Sequence, residues 1–302
     1  MLQTYLQALP HNITLSVRVT GERGRPVLMF LHGFPEAAFV YDELLEHFAK
    51  PENGGYRCVA PNLRGYEKSS APAEVSAYRP KFLTQDVAAL IAIETENSGQ
   101  KLECLVAHDW GGAVAWNLAN QMPHLTKKLA IINSPHPGTF LRELKSNPKQ
   151  QAASAYMNFL IRPDAEKILL EDDCRRLFEF FTNMGADKGP FAWLTEPVKQ
   201  QYREVWNSSL TGGCNYYRAS PLRPPTPTDK AAAAIDLPTS MLTIAIPTLV
   251  LWAMDDIALP PELIEGLDDY IPQLTLHKIN NATHWIIHEQ PQLVAGYLKA
   301  FL

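Results

Sequence analysis

The sequence predicts an α/β fold: a mostly parallel sheet flanked by helices and interrupted by one all-helical insertion. Three observations predict it. Short, continuously apolar runs recur along the chain, as strands buried on both faces require. Segments with apolar residues at helical spacing fall between them, which implies right-handed βαβ crossovers. From residue 137 to about 237 the pattern is helical with no convincing strand, and then the alternation resumes.

Residues 13–20 alternate apolar and polar, as an edge or half-buried strand would. Residues 26–31 (PVLMFL) form a buried strand, 41–49 an amphipathic helix and 56–60 (YRCVA) another strand. Residues 82–94 have helical spacing, 102–107 read as a strand, 113–121 as a helix and 129–133 as a strand. Within the insertion, 154–162, 165–170, 172–184 and 196–206 read as helices, and 221–227 (PLRPPTP) as a rigid, extended connector. Beyond it come a buried strand at 247–252 (PTLVLW), a helix at 261–270, a strand at 273–279 and a terminal helix at 285–301. The organisation expected is a core of residues 1–137 and 238–302 with a helical cap, or lid, of 138–237. The cap would cover the carboxyl ends of the strands, where open α/β sheets hold ligands.

Composition narrows the function classes. The chain has 302 residues and 46% hydrophobic content, enough for a large core. The net charge of −5 and the mixed charges give no basic stripe for nucleic acid. No run approaches the ~20 apolar residues of a membrane span, and the first ten residues lack the features of a signal peptide. Cys58, Cys104, Cys174 and Cys214 form no CxxC pair, and buried free thiols suit a reducing compartment, so a cytoplasmic location is expected. No metal motif, P-loop or GxGxxG after a strand is present, so neither cofactor nor metal is expected. Oligomeric state is left open, a homo-oligomer included.

The chemistry centres on residues 107–111, where Ala107, His108, Asp109, Trp110 and Gly111 join a strand to a helix. Small residues flanking a polar apex are the layout of a nucleophile elbow. The apex here is a carboxylate. A serine attacks acyl carbon, whereas a carboxylate attacks saturated carbon and becomes an alkyl ester. The pattern therefore points to opening of C–O or C–halogen bonds. The alternative for Asp109 is a plain helix N-cap.

Such a nucleophile needs a base, a group to orient the base, and oxyanion donors. His284 follows the last strand, where this arrangement puts its histidine; His288, one turn on, is the competitor. Asp255 and Asp256 both follow the strand ending at Trp252, and spacing favours Asp256. The chain order Asp109, Asp256, His284 is nucleophile, acid, base. The Trp110 backbone N–H and that of Phe34, in the His32-Gly33-Phe34-Pro35 turn, are the candidate oxyanion donors. Glu36 is read as stabilising the start of a helix.

Taken together, His32-Gly33-Phe34-Pro35-Glu36, Arg64-Gly65-Tyr66, His108-Asp109-Trp110-Gly111-Gly112 and Ala282-Thr283-His284-Trp285 resemble the soluble epoxide hydrolases of the α/β-hydrolase fold. The resemblance runs over most of the core, with Glu67 standing where the family usually has a second glycine. It implies two cap tyrosines that hold and protonate the epoxide oxygen. Tyr156 matches the first; Asn215-Tyr216-Tyr217-Arg218 points to Tyr217 as the second, with Tyr216 as the alternative. It implies a small apolar epoxide and water as reactants, a vicinal diol as product and a covalent ester on Asp109. Some relatives carry the acid after the strand ending at Asn133, which is no carboxylate here and so favours Asp256. The chain also resembles haloalkane and fluoroacetate dehalogenases, which use the same nucleophile; Phe34-Pro35-Glu36 and the tyrosine motifs argue against the first, and Trp110 and Ala113, standing where the second carry arginines after the nucleophile, argue against those. A non-catalytic binding protein on this fold would usually lack a triad residue. Phe159, Phe178, Phe181, Trp193 and Trp206 suggest an apolar pocket or the core of the cap.

Overall fold

The computed structural model describes residues 1–96 and 100–302. Eight strands form one sheet: β1 (Gln3–Ala8), β2 (Thr14–Thr20), β3 (Val27–Leu31), β4 (Arg57–Pro61), β5 (Cys104–His108), β6 (Leu129–Ile132), β7 (Thr248–Ala253) and β8 (Leu274–Ile279). Their order is β1-β2-β4-β3-β5-β6-β7-β8. β2 pairs antiparallel with both β1 and β4, and all other pairings are parallel. Strands β3, β4, β5, β6 and β7 are buried at every residue, which is why they read as continuous apolar runs.

Helix α1 (Asp42–Ala49) packs on β2 and β4, and α2 (Pro80–Glu94) packs on α3 (Asp109–Gln121), which itself lies on β5 and β6. Between β6 and β7 the described residues form no strand, only an isolated bridge between Thr226 and Asp229. That stretch holds α4 (Pro137–Ser146), α5 (Pro148–Ala153), α6 (Tyr156–Leu160), α7 (Ala165–Thr182), α8 (Glu196–Ser208) and α9 (Thr211–Ala219). The chain closes with α10 (Ile286–Glu289) and α11 (Pro291–Phe301).

Several expectations change. The helix expected at 261–270 is two short 3₁₀ turns, Pro261–Ile264 and Leu267–Asp269, separated by Gly266 in the left-handed region (φ +72°). The terminal helix breaks at Gln290, because Pro291 has no N–H to offer the preceding turn. The segments 165–170 and 172–184 are two helical stretches as expected, divided within α7 by a kink where Asp172, Asp173 and Cys174 all take positive φ. Helix α3 starts at Asp109 rather than at residue 113. β1, α4, α5 and α9 were not anticipated. Phe178, Phe181 and Trp206 are buried against one another and line neither cavity at the site, so they are core.

Candidate active site

β5 delivers its last residue, His108, in extended conformation, and the chain turns into α3 at once. Asp109 sits at this turn with φ +49°, a left-handed backbone that costs a non-glycine residue on the order of 1 kcal/mol or more. Asp tolerates it better than most. The turn is held by close packing. A Cβ on Gly111 would lie 2.3 Å from the Leu31 carbonyl oxygen, and one on Gly33 would lie 2.3 Å from the Asp109 Cβ. The Ser134 hydroxyl donates to the Asp109 carbonyl at 2.6 Å.

The candidate residues converge although they are far apart in sequence. The Phe34 N–H donates to Asp109 Oδ1 at 2.7 Å. Trp110 supplies one of the first amides of α3, which have no carbonyl partner within the helix. His284 Nε2 lies 3.8 Å from Asp109 Oδ2, and its Nδ1 lies 2.6 Å from Asp256 Oδ2. Asp256 is buried; Asp255 is exposed and engages only through its backbone N–H, bonded to the Ala282 carbonyl. Asp256 also accepts from the Ala258 and Leu259 N–H groups and from Asn133 Nδ2 at 2.9 Å. Asn133 turns with φ +39° and accepts the Ala253 N–H through its side-chain oxygen. It therefore spans β6 and β7 and aims Asp256 at the imidazole.

Burial works against ionisation of Asp256, but the charge of His284 and the hydrogen bonds from His284 and Asn133 outweigh it and hold its carboxyl below the ordinary value. Burial would likewise lower His284; the carboxylates of Asp256 and, further off, Asp109 prevail and push it up to about 9.

Tyr156 on α6 and Tyr217 on α9 face Asp109 from the helical insertion. Both border each of two cavities, of about 320 and 310 Å³, that meet at Asp109. Burial raises both phenols well above the usual tyrosine value, and the nearby Asp109 carboxylate adds to it, so both hydroxyls keep their protons. Tyr216 spends its hydroxyl on the Arg64 carbonyl at 2.9 Å. The larger cavity runs along one face of α3 past Trp110, Ala113, Asn117 and Gln121; the smaller one adjoins Phe34 and His284.

His288, the competitor for the base, lies away from Asp109, its Nε2 2.9 Å from Glu36 Oε1. One side chain departs from the sequence reading. Glu36 does not serve a helix start, since it is buried and hydrogen-bonded to side chains of other segments. Asn133 and Ser134 were missed; a polar pair at the end of an apolar strand was the available signal.

The model of the α/β hydrolase fold family matches residues 26–291. The chain belongs to that family. Within it, the chain is similar to the AB hydrolase superfamily protein YfhM of Bacillus subtilis (strain 168), 32% identical over 296 residues and 96% of each chain. It is also similar to epoxide hydrolase 4 of Mus musculus, 31% identical over 93% of this chain and 74% of the mouse protein. Among solved structures, an epoxide hydrolase from metagenomes of hot environments superposes with TM-score 0.84 at 35% identity, covering 100% and 98% of the two chains. The Bacillus megaterium epoxide hydrolase bound to an inhibitor gives 0.86 at 27% identity, covering 98% and 99%.

Proposed function

We propose that this α/β hydrolase converts epoxides to vicinal diols through an ester on Asp109. The observation that carries the reading is the pairing of a carboxylate at the elbow with two protonated, buried tyrosines across the same cavity. A halide leaving group would not need a proton; an alkoxide does.

Asp109 attacks one ring carbon. That C–O bond breaks, and the oxygen takes a proton from Tyr156 or Tyr217. The product of this step is a hydroxyalkyl ester of Asp109. Esterification removes the Asp109 charge, one of the influences holding the His284 pKa high, so the imidazolium gives up its proton, which restores the tyrosine phenol, and the neutral ring is free to accept one when water must be activated. Water then loses a proton to His284, which Asp256 orients, and its oxygen adds to the ester carbonyl. The oxyanion rests on the Phe34 and Trp110 N–H groups. Collapse expels the diol oxygen, which takes the proton left on the new carboxyl, and so restores the carboxylate.

The core is assigned to residues 1–137 and 238–302 and the cap to 138–237. Among the described residues no helix is long and apolar enough to cross a membrane, and the four cysteines are free and buried. Both fit a cytoplasmic enzyme. The test is incubation of wild type and Asp109→Ala with styrene oxide and with 1-chlorobutane, followed by assay of diol and chloride. Diol from wild type alone is expected. Chloride without diol would move the assignment to a dehalogenase.

A further inference from the structure

Glu36 is a fully buried carboxylate outside the reacting groups. Its Oε1 accepts from the Tyr202 hydroxyl at 3.0 Å and lies 2.9 Å from His288 Nε2. Its Oε2 lies 3.2 Å from His108 Nδ1. Burial opposes the charge, yet the imidazoles of His108 and His288 beside it keep the carboxyl well below the usual range. None of Glu36, Tyr202 or His288 borders either of the two cavities that meet at Asp109.

What these groups share is sequence position. Glu36 lies two residues beyond Phe34, whose N–H holds Asp109. His108 immediately precedes Asp109, and its Nε2 donates to the His284 carbonyl at 2.9 Å. His288 lies one helical turn beyond His284, packed flat on Trp193 with ring centroids 3.9 Å apart. Tyr202 belongs to α8, and one turn on, Trp206 donates from its indole N–H to the Pro35 carbonyl at 2.6 Å. One carboxylate thus ties the oxyanion turn, the elbow, the base loop and the helical insertion together. Desolvating a charge is costly unless every partner is in place, so loosening any partner loosens all four segments.

We propose that Tyr202 and His288 are positioning residues, clamping Glu36 so that the oxyanion turn and the His284 loop keep their registry with Asp109 during ester hydrolysis. The proposal rests on the ester mechanism above. Ester breakdown depends on His284 and the Phe34 N–H, whereas ester formation depends chiefly on Asp109 and the tyrosines. Breakdown is therefore the step that should suffer.

The test compares Tyr202→Phe, His288→Leu and His288→Gln in single-turnover experiments with styrene oxide, following ester on Asp109 by mass spectrometry. Tyr202→Phe and His288→Leu should slow ester breakdown on the order of tenfold, as loss of a hydrogen bond to a buried charge would, with ester formation little changed. His288→Gln, which keeps a donor, should recover most of the rate. A second reading is independent of turnover: the downfield proton resonance of the His284 Nδ1–H bonded to Asp256 should shift or broaden in Tyr202→Phe and His288→Leu. If both steps fall together with thermal stability, or neither the breakdown rate nor the resonance moves, the clamp is only structural and the proposal fails. Wild type that forms no ester would instead sink the mechanism, and the resonance alone would then decide the positioning role.

Discussion

Asp109→Asn should lower the pKa of His284 sharply while leaving the fold intact. The replacement is isosteric and removes one charge 3.8 Å from Nε2. At that distance two unit charges interact by roughly 4 kcal/mol at an effective dielectric of about 20, and by roughly 1 kcal/mol at the dielectric of water. With about 1.4 kcal/mol per pKa unit, the charge is worth roughly one to three units. His284 should fall from about 9 to roughly 6–8. Asp256 stays 2.6 Å from the other nitrogen, so the ring keeps its orientation. The sign matters. A raised histidine pKa means an imidazolium below it, unable to take a proton from water. Neutralising Asp109, by amide here and by ester in turnover, frees the base. The assay is an NMR titration of the imidazole nitrogens from pH 5 to 10 in both proteins. A shift below half a unit, or one upward, would refute the idea that esterification itself readies His284.

Further outcomes follow from the same geometry. His284→Phe should accumulate a covalent adduct on Asp109 after epoxide exposure, seen as a mass increase equal to the epoxide; absence of adduct would contradict the two-step scheme. Tyr156→Phe and Tyr217→Phe should each slow ester formation by roughly 10- to 100-fold, within the range of general acid catalysis, and the double variant should lose more than either. Asn133→Ala should leave Asp256 short of one donor in a buried site and cost about 1–3 kcal/mol of stability, with a lower diol rate; chemical denaturation and turnover measure the two.

Much of the architecture was legible because burial on both faces leaves an unmistakable mark. β3 and β6 are apolar throughout and β5 and β7 nearly so, and the proposed chemistry falls on residues that follow three of them. β1 was missed since an edge strand alternates exposed and partly buried residues and QTYLQA has little apolar content. α9 was missed because Gly212 and Gly213 near its start depress helix propensity. Its close approach to the core, where a Cβ on Gly212 would meet the Gly65 carbonyl oxygen at 2.2 Å, explains the glycine. Asp109, Asp256 and His284 could be picked out from strand ends and chain order. Asn133, Glu36 and Tyr202 could not, since Asn133 meets Asp256 across 123 residues and Glu36 meets Tyr202 across 166. Adjacent tyrosines on a helix point about 100° apart, which is why Tyr216 and Tyr217 were distinguishable only once their surroundings were known.

Helix α3 both presents Asp109, the proposed nucleophile, and walls the larger cavity. Ala113, Asn117 and Gln121 lie along that wall one turn apart, so they mark depth from Asp109 in steps of about 6 Å, four residues at the helical rise of about 1.5 Å each. The helix is a ruler laid against the substrate. A bulky side chain grafted at one mark would cut the cavity at a chosen length without disturbing the crowded glycines of the elbow. Redesign for chain length can therefore proceed by position along one helix face, separately from the catalytic machinery.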